Sequence, residues 1–160
     1  MPELIRPTVA VRESYLAGER AMAADEKNPA PEWLPGAEAD FAAFVARRAV
    51  TQHYWDVPVT ELWFVDGAEY LGTLMIRHRL TSRLRAEGGH IGYHVVPRHR
   101  RRGHATAMLT AACAWCRDLG LAKVLLTCDE ANTGSRRVIE ANGGKLADVT
   151  AGTCRYWIAW

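Results

Sequence analysis

Between Val95 and Met108 the chain reads Val-Val-Pro-Arg-His-Arg-Arg-Arg-Gly-His-Ala-Thr-Ala-Met, and this is where its residue types and spacing point most directly to chemistry. A short apolar run ends at Pro97, and Arg98, Arg100, Arg101 and Arg102 follow within five positions. Gly103 then opens a segment whose apolar residues recur at helical spacing. The first N–H groups of a helix have no intrahelical partner, and the aligned peptide dipoles place roughly half a positive charge there. A phosphate is favoured at such an end, and guanidinium groups beside it add fixed charge. Gly103 suits this role because a bare Cα admits close approach to the main chain and takes positive φ without strain. The plainer alternative is a solvated basic turn that caps a helix.

These residues resemble the pyrophosphate loop of the Gcn5-related N-acetyltransferases, which reads Arg or Gln, two residues, Gly, one residue, then Gly or Ala. Here the matching positions are Arg100, Gly103 and Ala105, preceded by Val95 and Pro97 in a Val-x-Pro. Downstream, Asn132, Ser135, Glu140 and Gly143 fit the family's Asn-x-x-Ala/Ser, Glu and Gly positions. His-Ile-Gly-Tyr before Val-Val-Pro, and Val-Ile-Glu-Ala-Asn-Gly-Gly near the end, are similar to a branch whose acceptors are mostly unassigned. The resemblance covers about residues 60–160. It implies an α/β (α+β) fold, with a mixed, mostly antiparallel sheet flanked by helices and a central β-α-β crossover. It also implies acetyl-CoA as cosubstrate, CoA as product, and an amine of a small molecule or peptide as acceptor.

Acetyl transfer from a thioester asks a protein to hold a pyrophosphate, polarise a carbonyl and present a neutral amine. By resemblance, Arg100, Arg101, Arg102, Gly103, His104, Ala105 and Thr106 meet the first demand, and Asn132 and Ser135 add coenzyme contacts. Asn132 also reads as a simple helix N-cap. The second demand falls on Tyr93, His94, Val95 and Val96, chiefly through main-chain N–H groups where that strand splays from its neighbour.

The third demand is where the sequence departs from the pattern. An alkyl ammonium with a pKa near ~10.4 must lose a proton before it attacks. Where relatives place Glu or His, four or six residues before Val95, this chain has Ile91 and Gly89. Glu87 and His90 are the catalytic candidates that remain, against a background reading of surface charge and satisfied histidine. Period-2 alternation turns His90 and His94 to the face opposite Glu87, and His78 is a further candidate. Ile139 stands where many relatives carry a tyrosine acid. These gaps leave open unassisted attack, a base from residues 1–59, or a non-catalytic coenzyme binder. Acceptor recognition would fall to Glu32, Trp33, Trp55, Asp56, Tyr156 and Trp157, although tryptophans pack cores more often than pockets.

The 160 residues, 49% of them hydrophobic, fit one domain over 1–160 that buries about two thirds of its unfolded surface. Residues 1–59 form a helical, acceptor-side part and 60–160 the coenzyme core. The net charge is +2, yet residues 77–123 carry ten basic side chains against two acidic ones. Such asymmetry suits a polyanionic coenzyme. A nucleic-acid module is the competing reading, disfavoured because the arginines sit in one tight turn without an aromatic stripe. Four scattered cysteines and no apolar leader point to a reducing cytoplasm. Cys113 and Cys116 fall on a helix without a second pair at zinc spacing, so no metal is expected. No run nears the about eighteen apolar residues of a membrane span. A homodimer is left open.

The elements that must position these groups can be read in outline. A first strand is expected near 8–11, then helices over 13–25 and 38–53. Strands at 62–65 and 70–76 flank Asp66-Gly67, a strong hairpin signal. A strand over 91–96, a helix from Ala105 to a cap at Gly120, and a covered strand at 124–126 give a right-handed crossover. A helix over 132–142 and an antiparallel pair at 145–149 and 155–160 complete the order.

Overall fold

The computed structural model describes all residues 1–160. The chain opens with strand β1 (Glu3–Ile5), which pairs antiparallel with the strand around Val65. The strand expected at 8–11 is instead a single 3-10 turn, because the Thr8 hydroxyl accepts from Ala10 N at 3.3 Å and curls the chain. Helix α1 (Arg12–Asp25) follows and buries Tyr15, Leu16, Gly18, Glu19 and Met22. Gly18 lies directly on the sheet: a Cβ there would sit 3.0 Å from Val96 Cγ1 and 3.1 Å from Tyr70 Cδ1.

The helix expected over 38–53 is three elements. Asp40 leaves the helical region and caps a new start by accepting from Ala43 N at 3.1 Å, which divides α2 (Leu34–Ala39) from α3 (Phe41–Arg48). Residues past 48 become strand β2 (Gln52–Tyr54), joined to β3 (Val57–Asp66) through Trp55 and Asp56, both at positive φ. Two successive left-handed residues match the twist of a tight hairpin. The Asp66-Gly67 hairpin then leads from β3 into β4 (Glu69–Arg77), as expected.

A short helix α4 (Ser82–Ala86) precedes β5 (Ile91–Val95). The 3-10 turn Pro97–His99 and the basic loop follow, then α5 (His104–Asp118) and β6 (Lys123–Asp129). Helix α6 (Thr133–Ala141), capped by the Asn132 side chain on Ser135 N, leads to the hairpin β7 (Lys145–Thr150) and β8 (Thr153–Ala159).

Strands β1 to β5 form one antiparallel sheet, and β6, β8 and β7 form another. One face of the first sheet presents Leu62, Phe64, Leu74, Ile76 and Ile91 to α5, in a core continued by Leu126, Ile139 and Tyr156. Its other face presents Trp63, Val65, Tyr70 and Val96 to α1, α2 and α3. There Tyr15 stacks on Trp63 with ring centroids 4.1 Å apart, and Trp33 stacks on Phe44 at 5.2 Å. Cys113 and Cys116 pack into the α5 core, and burial pushes the Cys116 thiol up to about 12.

The expected crossover runs β5, α5, β6, but the two strands share no ladder. They join only at one end, where Gly89 bridges Leu126 and His90 N donates to Leu125 O at 2.7 Å. Gly88 N reaches Thr127 Oγ1 at 2.8 Å and Leu125 N reaches His90 Nδ1 at 2.9 Å. Beyond this joint the sheets part.

Candidate functional site

The parting of β5 from β6 exposes main-chain donors. Val96 N donates to Leu71 O at 2.9 Å, and in an antiparallel ladder every second residue turns its polar groups to the same neighbour. Gly92 and His94 therefore face β4, while the N–H groups of Tyr93 and Val95 face the gap. Val95 O, on that side, accepts from Arg100 Nε at 3.0 Å. Two N–H groups along an unpaired strand edge can bond an extended ligand arm or a carbonyl oxygen.

The gap widens into a cavity of ≈ 480 Å³ floored by Tyr93, His94 and Val95. Its far wall is the start of α5, with Gly103, His104, Ala105 and Thr106, and its other wall is the start of α6, with Asn132 and Ser135. Gly103 is the N-cap of α5 at φ 80, and no atom lies within 4 Å of where its Cβ would be. No side chain caps this helix, so its first N–H groups are free for an anion. Burial, with His99 and Arg102 nearby, holds the His104 imidazole below its ordinary range.

The arginines divide into two pairs. Arg98 is held by Glu69, and Arg100 ties β5 to α1: Nε to Val95 O, Nη1 to Asp25 Oδ2 at 2.8 Å, and Nη2 to Met22 Sδ at 3.3 Å. Arg101, at φ 62, and Arg102 make no ion pair, and both are exposed. Arg101 lines the cavity and Arg102 does not. Val96 does not line it either, because its side chain is buried between α1 and the sheet.

A second cavity of ≈ 310 Å³ lies towards the closed end, lined by Glu87, Ile91, Gly92 and residues Leu126 to Asp129. Tyr93 and Ser135 line both spaces, and their hydroxyl oxygens are 2.9 Å apart. Burial raises the Tyr93 phenol above its ordinary range, so it stays protonated. The Arg77 guanidinium reaches this cavity, donates to Gly88 O at 2.8 Å and lies 4.6 Å from the Trp55 ring centre.

Glu87 thus borders the smaller cavity. His90 borders neither: it is 6% exposed, its Nδ1 accepts from Leu125 N, and burial together with Arg85 and Arg77 lowers its pKa to about 4. Its role is to pin the sheet joint. His78 bonds Thr60 at 2.7 Å. Gly89 has no room for a larger side chain, since a Cβ there would lie 2.3 Å from Leu125 O. None of Glu32, Trp33, Trp55, Asp56, Tyr156 and Trp157 lines either cavity.

The sequence reading missed Glu19. It projects from the buried stripe of α1 and its Oε1 accepts from Tyr70 OH at 2.7 Å, with His94 Nε2 at 3.2 Å. An acid spaced at helical period among Tyr15, Leu16 and Met22 was the available signal.

Comparison with known proteins agrees with this fold. A family model described as an acetyltransferase (GNAT) domain matches residues 9–145. No curated protein sequence matches. Among solved structures, the GNAT domain of S. lividans PAT superposes with a TM-score of 0.63 at 18% identity, covering 99% of this chain and 89% of that one. The microcin C7 self-immunity acetyltransferase MccE, in complex with acetyl-CoA and AMP, gives 0.64 at 13%, with 99% and 92% covered. Mycobacterium smegmatis RimJ, in complex with CoA-disulfide, gives 0.64 at 19%, with 99% and 81% covered. No helix of the chain is long and apolar enough to cross a membrane. With its family domain spanning most of its length, the chain belongs to the GNAT acetyltransferases.

Proposed function

We propose that this protein is an N-acetyltransferase that moves an acetyl group from acetyl-CoA to an amine of a small molecule or peptide. The observation that carries the reading is the convergence, on one cavity, of the uncapped start of α5 and the unpaired edge of β5. The pyrophosphate belongs at Gly103 to Thr106, with Arg101 on the cavity wall and the exposed Arg102 next to it in sequence. The extended arm belongs along Tyr93 to Val95, with Asn132 and Ser135 opposite. Acetyl-CoA supplies a thioester already activated for acyl transfer. The chain's own task is to hold it, to meet the carbonyl oxygen with a main-chain N–H, and to take a proton from the amine. MccE with acetyl-CoA and RimJ with CoA-disulfide support this use of the fold.

The test is thermal unfolding with acetyl-CoA, CoA, ATP or duplex DNA. Acetyl-CoA and CoA are expected to raise the melting temperature, with about 2.7 kcal/mol of stabilisation at a hundred times Kd. No shift at millimolar acetyl-CoA overturns the reading. A shift with DNA alone, steeply weakened by salt, would favour phosphate recognition of nucleic acid instead.

A further inference from the structure

We infer that His94 is the proton acceptor of the transfer reaction and that Glu19 is the residue that positions it. The inference deepens the coenzyme reading above and rests on it. Elsewhere along β5 and its lead-in, Gly89 is locked against Leu125 and Ile91 has no lone pair to offer. His94 stands two residues beyond Gly92 on the same strand, its imidazole meets α1 at Glu19, and the residue lines the larger cavity.

The hydrogen bonds around it fix its chemistry. Glu19 is buried and carries an oxygen 3.2 Å from His94 Nε2. A carboxylate can only accept, so the neutral imidazole places its proton on Nε2 and its lone pair on Nδ1. Nδ1 makes no hydrogen bond within the protein, since both side-chain contacts of His94 are through Nε2. Tyr70 OH donates to the same Glu19 oxygen at 2.7 Å and contacts Thr73 Oγ1, which holds the carboxylate in place. Tyr70 OH also lies 3.4 Å from His94 Nε2, and the other charged or titratable groups lining the same cavity are Glu26 from α1, Tyr93 from β5, His99, Arg100 and Arg101 from the basic loop, and His104 from α5. This is the base-and-orienter arrangement of other acyl-transfer sites, built from one strand and one helix.

The step balances simply. Nδ1 takes one proton from the acceptor ammonium, and the freed lone pair forms the C–N bond to the thioester carbonyl carbon. The C–S bond breaks, its electron pair leaves with sulfur, and the thiolate takes up the second proton lost from nitrogen. The imidazolium returns its proton to water.

Two measurements on the intact protein test the pair. Long-range 1H–15N spectra should show His94 with its proton on Nε2, and Glu19→Gln should scramble that tautomer while Tyr70→Phe should not. CoA release is then followed with a free-N-terminus tripeptide and with 1,4-diaminobutane as amines. His94→Gln and His94→Asn should bind acetyl-CoA within twofold of wild type yet lose about 100-fold or more in kcat. Their remaining rate should rise towards the alkaline range in which an amine of pKa about 10.4 loses its own proton. A proton on Nδ1, or a His94→Gln pH profile that overlays the wild type, overturns the assignment. So does a wild-type protein that binds acetyl-CoA but acetylates neither amine, which leaves the coenzyme site standing. Failure of the wild type to bind acetyl-CoA would sink the coenzyme site itself.

Discussion

Tyr93 on β5 and Ser135 on α6 meet at 2.9 Å across the parted sheets, and each lines both cavities. The contact lies between the two spaces, so it should govern ligand seating more than stability. Tyr93→Phe and Ser135→Ala are each expected to cost about 1 kcal/mol or less in urea unfolding. Ser135→Ala should weaken acetyl-CoA several-fold by calorimetry, and unchanged affinity would place the coenzyme away from α6.

The paired and unpaired arginines should separate cleanly. Arg101→Ala with Arg102→Ala should lower acetyl-CoA affinity, with reduced salt dependence, and leave the melting temperature unchanged, because neither side chain has a partner in the fold. Arg100→Ala should instead destabilise by about 1–2 kcal/mol, since it unties β5 from Asp25 and Met22 of α1.

Gly89 has positive φ and a carbonyl 2.3 Å from its would-be Cβ. Gly89→Ala should cost more than about 2 kcal/mol, seen as a lower urea midpoint, because both strain and the sheet joint are affected. A stable Gly89→Ala protein would mean that the joint yields.

His90 sets an acid limit. Its folded pKa of about 4 lies below the unfolded value of about 6.5, so on acidification the unfolded chain takes up a proton before the folded one does. Stability is therefore full above pH ~6.5 and falls towards pH ~4, by up to about 3 kcal/mol from this group. His90→Asn retains an acceptor for Leu125 N but cannot titrate, and its stability should vary less between pH 7.5 and 5.

Arg48 neutralises a buried acid. Glu61 is 1% exposed, accepts from Arg48 Nη1 at 3.1 Å and from Trp63 Nε1 at 2.8 Å, and burial raises its carboxyl above the ordinary range. Arg48→Ala should cost about 3 kcal/mol at pH 8. Without the guanidinium, burial raises the Glu61 carboxyl further, so the folded variant keeps its proton to higher pH than the unfolded chain does and the penalty should shrink on acidification. An equal loss at pH 8 and pH 5 would show that packing on Trp33 and Phe44 matters more than charge.

What could be read in advance was local. The Asp66-Gly67 hairpin, the α5 stripe and the basic loop each carry their signal within a few residues. Strand β1 is three residues with one buried side chain, too short to show a period. Asp40 capped a helix inside a run whose apolar spacing continued, and the exposed β2 had no apolar alternation to read. Arg100 lines the cavity, but its ties to Met22 and Asp25 could not be read because those residues are distant in sequence. His94 and Glu19 are 75 positions apart, and only the seating of α1 on the sheet brings them together.

Gly18 determines that seating. A helix that rests on hydrogen instead of a side chain has no compressible cushion beneath it, so α1 stands at one height above β4 and β5. Glu19 thereby inherits the stiffness of the sheet. A methyl group at position 18 would act as a shim, lifting the carboxylate off the imidazole while every group in the cavity kept its chemical identity.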